Sequence, residues 1–330
     1  MIHEYALEPE LVATWYQREL FRHFIERFGF RDEDGSATGR VVGQYPNKKW
    51  IKQVWETFNA NFGQSAREDE RERVTELLKQ LTIPQVRRSG STWNDQYTWL
   101  KNAEEENERH QFHAILACNP SDNPQVICGE DVLPGMNPPS LWSVPREKPV
   151  PRTATSIATH LEPMLRCATR ILFIDPHFRA RPSRWQEPLR RFLKTICDGS
   201  REVTLEYHVS ACYTKAPPWD EFLDECKQIL PSLIPRNFAL TVRRWKDWDV
   251  DEELHDRYIL TDIGGVAIPK GLSEKDRDTI DILRLSVEIW QQRLENYGFH
   301  YYDDRASSGS KPKPAFDPGD PPETVTISGT

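Results

Sequence analysis

The chain has 330 residues, enough for two ordinary domains or one domain with a long extension. Its 43 Lys and Arg against 51 Asp and Glu leave a formal charge of −8, which excludes a protein that coats nucleic acid over its whole surface but leaves room for a local basic groove. With 11 Trp and 14 Phe as core material, disorder throughout is excluded as well. No apolar run approaches the ~20 residues of a membrane helix, and residues 1–5 carry neither a basic nor an apolar leader. Six scattered Cys without a CxxC pair fit reduced thiols, so the expected location is cytoplasmic.

The first hundred residues read as helices. Pro9 opens an amphipathic run over 11–28, with Leu11, Trp15, Leu20, Phe24 and Phe28 broadly on one face and Gly29 as its stop. A second run, 48–61, is striped by Trp50, Val54, Trp55 and Phe58. Ser65 and Glu68 spell a capping box ahead of Val74, Leu77, Leu78 and Leu81, and Pro84 ends that helix. Residues 93–108 complete a helical N-terminal region, 1–110. Short strands at 112–118 and 126–128 and a Pro-rich connector make up residues 111–150.

A regular alternation follows over 151–305. It runs as a helix at 153–167, an apolar strand at 171–174 ending in Asp175 and Pro176, and a helix at 183–197 capped by Ser183. A strand at 202–209, a helix at 218–230 and strands at 239–245 and 254–262 come next. A return strand at 266–268 behind Gly264 and Gly265, then a closing helix at 280–297, end the series. This order predicts an α/β domain, a mixed sheet flanked by helices. Residues 306–330, rich in Ser, Gly, Pro and Lys, read as a disordered tail.

The segment with the most chemistry holds His255, Arg257 and Asp262 in the pattern H-x-R-x-x-x-x-D. It resembles the HxKxxxxD motif of the phospholipase D superfamily, with Arg in the Lys place. Residues 171–297 also follow the element order of that family's half-domain. The resemblance implies a phospholipase D-like fold for 151–305, with His255 as the nucleophile on phosphorus, Arg257 as the holder of the phosphate oxygens and Asp262 as a support. On a strand, residues two apart share a face, so His255 and Arg257 project together. A guanidinium offsets transition-state charge and binds phosphate through two parallel bonds, although it is not equivalent to a lysine ammonium. The family builds one site from two motif copies and this chain has one, so a homodimer is expected. Asp175 and Pro176 followed by the His-Asp-Arg run are also similar to the phospholipase D-like C-terminal domain of MIT-domain proteins. That relative binds membranes and lacks catalysis.

Two further clusters are expected to join the site. Asp175 and His177 stand at the carboxyl end of an apolar strand, where open α/β sheets hold ligands. Glu206 and His208 share one strand face; convergence with His255 would let Glu206 or Asp175 orient an imidazole. Arg179, Arg181 and Arg184 supply a basic rim for substrate, alongside His177. His110 and His113 have ligand-like spacing, but no Cys or carboxylate pair completes them. No P-loop, Rossmann glycine fingerprint or GxSxG elbow is present. Asp175, His177, Glu206 and His208 could bind a divalent ion if the fold brings them together, but no metal and no cofactor is expected.

The expected function is metal-independent phosphodiester cleavage through a phospho-histidine intermediate. Nucleic acid is the expected substrate, as for a nuclease in a prokaryotic defence or mobile-element system. The alternative is a non-catalytic phospholipase D-like module that binds a phosphate-bearing partner or scaffolds a protein complex.

Overall fold

The computed structural model describes residues 1–28, 39–88, 90–199, 202–213, 215–245, 256–297 and 322–330. Contacts divide the chain into two compact units, Ile2–Pro145 and Arg146–Thr330, with Met1 counted in the latter. No helix among the described residues is long and apolar enough to cross a membrane.

The first unit is an α/β structure, which corrects the expected helical N-terminal region. Its chain order is β1 (His3–Leu7), α1 (Pro9–Ala13), α2 (Arg18–Phe28), β2 (Arg40–Gln44), α3 (Trp50–Asn61), α4 (Glu68–Thr82), β3 (Gln85–Arg87), α5 (Trp99–Arg109), β4 (Ala114–Ala117) and β5 (Val126–Cys128). The strands form one parallel sheet in the order β3-β2-β1-β4-β5. Parallel strands are covered on both faces, so they lack the polar–apolar alternation by which a half-buried strand is read. Tyr5, Leu7, Val42, Ala114 and Leu116 face a core built with α1–α4, while Ala6 and Ile115 face Ala103 of α5. The long helix expected at 11–28 is broken at Gln17, whose backbone is extended (ψ 135). The cap expected at Ser65 falls instead at Arg67, whose amide donates to Glu70 Oε2 at 2.9 Å.

A buried ionic cluster ties this unit together. Arg88, after β3, sets Nη1 2.9 Å from Glu4 Oε2 of β1 and Nε 3.3 Å from Glu106 Oε1 of α5. It also donates to the carbonyl of His110 and lies over the Phe112 ring at 3.7 Å. All three charged side chains are almost completely buried. Removing one member of a buried ionic group leaves an uncompensated charge. Arg88→Met is therefore expected to cost ~3–5 kcal/mol, read as the midpoint of urea unfolding. A loss below ~1 kcal/mol would mean that the two carboxylates find other partners.

The second unit runs β6 (Glu147–Pro151), α6 (Ala154–Cys167), β7 (Arg170–Ile174), α7 (Ser183–Asp198), β8 (Thr204–Ser210), α8 (Trp219–Ile229), β9 (Ala239–Trp245), β10 (Tyr258–Thr261), β11 (Gly264–Ala267), β12 (Thr279–Arg284), α9 (Val287–Asn296) and β13 (Glu323–Ser328). Its sheet order is β13-β9-β8-β7-β10-β11-β12-β6. The central β7, β8 and β9 are parallel and every other pairing is antiparallel. This is the mixed, helix-flanked sheet expected from the alternation.

Three expectations need correction here. The connector ends in a strand: Pro149 and Pro151 are tolerated in β6 because it lies on an edge, where missing N–H groups break no second ladder. The closing helix is shorter than expected, because residues 279–284 form β12, with Ile280 and Ile282 buried and Thr279 and Asp281 exposed. That period of two selects a strand, and Ser286 then caps α9 by accepting from the Ile289 amide at 3.3 Å. The tail is not disordered throughout, because residues 323–328 form β13 on the edge of β9. Residues 306–321 lie outside the described residues.

Candidate functional site

The residues proposed for the site sit on the central strands, and the pleat decides which of them meet. Ile171 and Phe173 of β7 pair with Leu205 and Tyr207 of β8. Asp175 continues that face, its amide still donating to His208 O at 3.2 Å. Leu172 and Ile174 pair with Glu206 and His208, which in turn pair with Thr241 and Arg243 of β9. Successive side chains point to opposite faces. Asp175 therefore lies on one face of the sheet and Glu206 with His208 on the other. The expected convergence of Asp175, Glu206 and His208 does not occur.

On the first face, Asp175 is a buried carboxylate at the carboxyl end of β7. Its Oδ2 accepts from the Leu272 amide at 2.9 Å and its Oδ1 from the His177 amide at 3.1 Å. Burial raises its pKa, against the pull of these two amides, Arg257 and His177. Gly271 (φ +86) makes the turn that brings the Leu272 amide in. A Cβ there would stand 2.8 Å from Asp175 Oδ2 and 3.8 Å from Arg257 Nε, so this close backbone approach requires glycine. Arg257, immediately before β10, is half-buried and donates from Nη1 to Pro269 O at 3.3 Å. The His177 ring meets Tyr213 edge-on at 4.8 Å. His255 lies outside the described residues.

The basic rim is mostly engaged elsewhere. Arg179 binds Glu225 of α8, Nη2 to Oε2 at 2.5 Å, and Glu221 at 3.3 Å; the bond to Glu225 raises its pKa. The Arg181 amide donates to Glu225 Oε1 at 2.6 Å while its side chain stays exposed. Arg184 lies over the Trp185 ring at 4.4 Å. Glu225 is a residue that sequence reasoning missed, and its signal was an acid one position before Cys226 on the buried stripe of α8.

On the opposite face, Glu206 is held between two guanidiniums, Arg243 Nε at 2.6 Å and Arg170 Nη2 at 3.2 Å. Burial opposes its charge, but His208 and Arg243 outweigh burial and hold the carboxyl at about 2. His208 is fully buried. Its Nδ1 accepts from Trp245 Nε1 at 3.2 Å, its Nε2 is 3.4 Å from Glu206 Oε2, and Tyr297 meets its ring edge-on at 4.9 Å. Burial lowers its pKa, so the ring stays neutral. Asp262 is at the far end of β10, where it accepts from the Thr169 amide at 2.9 Å and from Thr169 Oγ1 at 2.5 Å. It therefore ties β10 to the start of β7, on the end of the strand away from Arg257.

The described residues hold no group of three or more His, Cys, Asp or Glu able to bind a metal ion. No protein-family model matches the chain, and no curated protein matches it.

The His208 environment sets a pH dependence. The unfolded ring takes a proton near 6.5 and the folded ring only at lower pH, so the unfolded state binds the proton first and stability falls as pH drops below 6.5. The contribution is at most ~1.4 kcal/mol per pH unit for one proton. His208→Gln is expected to flatten this part of the curve of urea midpoint against pH. Equal slopes in both proteins between pH 6.5 and 5 would show that His208 does not contribute.

Proposed function

We propose that residues 146–330 form a phospholipase D-like module that binds a phosphate-bearing ligand where β7 and β10 meet at the sheet end, without hydrolysing it. One observation carries this reading. Among the described residues, Arg257 makes no ion pair with a carboxylate, whereas Arg170, Arg179, Arg243 and Arg244 each do. Arg257 acts on the Asp175 carboxylate without forming an ion pair with it, so its remaining N–H groups suit an incoming phosphate, which a guanidinium binds through charge-assisted bonds. His177 and the exposed side chains of Arg181 and Arg184 belong to the same end of the unit and add positive or hydrogen-bonding groups.

Binding is favoured over cleavage because the helpers of a histidine nucleophile are otherwise committed. Asp175 already accepts from two backbone amides, one of which holds the 268–272 turn, and Glu206 is bound by two arginines on the other face. Glu206 therefore stands away from any imidazole beside Arg257, and Asp175 is committed to the turn.

The test pairs a binding and a turnover measurement on the full chain, with a short single-stranded oligonucleotide and with inorganic phosphate. Arg257→Ala is expected to weaken binding about 10- to 100-fold, the loss of charge-assisted bonds of ~1.5–3 kcal/mol. Wild-type protein is expected to leave the oligonucleotide intact. Cleavage that persists in excess chelator and disappears in His255→Ala would replace this reading with the phospho-histidine enzyme. Unchanged binding in Arg257→Ala would remove the phosphate site.

A further inference from the structure

The last strand, β13, sits on the sheet in a manner that is open to exchange. It pairs antiparallel with β9 from Glu323 opposite Arg244 to Ser328 opposite Ala239. Thr324, Thr326 and Ser328 are exposed, and only Ile327 is deeply buried, at 6 %. Main-chain bonds therefore supply most of the attachment, and such bonds recognise any extended segment. Strands with few buried side chains sit at the low end of local stability and open readily.

Three features nevertheless make the groove selective. Arg244 is buried, with its guanidinium over Phe222 at 5.4 Å, and its Nη1 lies 3.7 Å from Glu323 Oε2. A segment without an acid at this position would forfeit that pairing of a buried cation. Four residues on, Ile327 packs beside Leu240. Two further on, Gly329 lies against the carbonyls of Ile234 and Pro235, where a Cβ would come within 2.3 and 2.4 Å. The Gly329 amide donates to Phe238 O at 3.2 Å. The groove thus reads an acid, an aliphatic side chain four residues later and a glycine two after that. Residues 323–329 of this chain carry that spelling.

Vacating the groove would expose the edge of β9, an unpaired row of N–H and C=O groups that favours recapture of a strand. Residues 298–322 join α9 and Tyr297 to β13. Fully extended, 25 residues reach roughly 80 Å at ~3.3 Å per residue. That length lets Glu323 reach the groove of another copy as well as its own. The same contacts form either way, so the balance between the two is set by the effective concentration of the tethered strand.

We propose that the β9 edge, with its Arg244 and Gly329 contacts, is a strand-addition site whose occupant in trans is β13 of a second copy of this chain, giving a reciprocal strand-exchanged dimer. The proposal is independent of the phosphate-site reading.

The test uses two full-length variants, Thr241→Cys and Thr326→Cys, one carrying a tag that changes its gel mobility. Thr241 and Thr326 face each other across the ladder with Oγ1 atoms 3.1 Å apart, so cysteines there are close enough to bridge. The two variants are mixed, incubated and oxidised mildly. Thr241→Cys mixed with wild type reports the background from the six natural cysteines. A covalent product of one tagged and one untagged chain, above that background and rising with protein concentration, is the expected result. The double variant T241C/T326C, oxidised dilute, should close within one chain. Closure in the double variant with no inter-chain product at any concentration would show that β13 never leaves its own sheet and would overturn the proposal. Failure of the double variant to close would overturn it too, by removing β13 from the β9 edge.

Discussion

The alternation of side chains along β7 and β8 governs the chemistry of the second unit. A one-residue step on a strand reverses the face, so Ile174 and Asp175 point to opposite sides, as do Tyr207 and His208. Phe173 stacks on Phe192 of α7 at 5.6 Å, which fixes the face covered by that helix. His208 lies against Tyr297 beyond α9, which fixes the other. Once the register of β7 with β8 is set, the polar groups divide into two sets that cannot share a ligand. Asp175, Arg257 and His177 gather at one sheet end. Glu206, His208, Arg170 and Arg243 form a closed charge network within the opposite layer.

The two sets are built for different tasks. In the Glu206 network each carboxylate oxygen is taken by an arginine, and the histidine is kept neutral between an indole N–H and the carboxylate. Such a network ties β7, β8 and β9 together on this face. The Asp175 set is different in kind: its carboxylate holds the 268–272 turn, and Arg257 beside it donates to Pro269 O of that turn. The first unit shows the same economy of charge. At the point between β1 and β4 where the strand order reverses and parallel sheets hold ligands, Glu8 Oε2 accepts from the Cys118 amide at 2.5 Å. No glycine-rich turn follows β1, and an anion would meet the Glu8 carboxylate there.

How much of this was legible in the sequence differs by element. The helices α3, α4, α6, α7 and α8 and the strands β7, β8 and β9 were readable because each presents a strong period or an apolar run between turn residues. In the N-terminal sheet β4 and β5 were readable as the short strands at 112–118 and 126–128, whereas β1, β2 and β3, three to five residues long, hide among helices of stronger pattern. β12 was masked by the helical period of α9 immediately after it, and β13 by the Pro- and Gly-rich composition that precedes it. For the site, spacing correctly put Glu206 with His208 on one face and Asp175 at a strand end. It could not give the register between β7 and β8, which is a tertiary property and alone decides that these groups stand apart. Gly271 was invisible for the same reason, because it acts on Asp175, far away in sequence, and Glu225 showed only as an acid on a buried helical stripe, without its partner Arg179.

Histidine NMR tests this separation of faces most directly. With the full-length protein labelled at its histidine rings, titration with a short oligonucleotide should move the His177 resonances and leave those of His208 in place. Movement of His208 with His177 unmoved would be the contradicting result, because it would put the ligand on the face of the Glu206–His208 network.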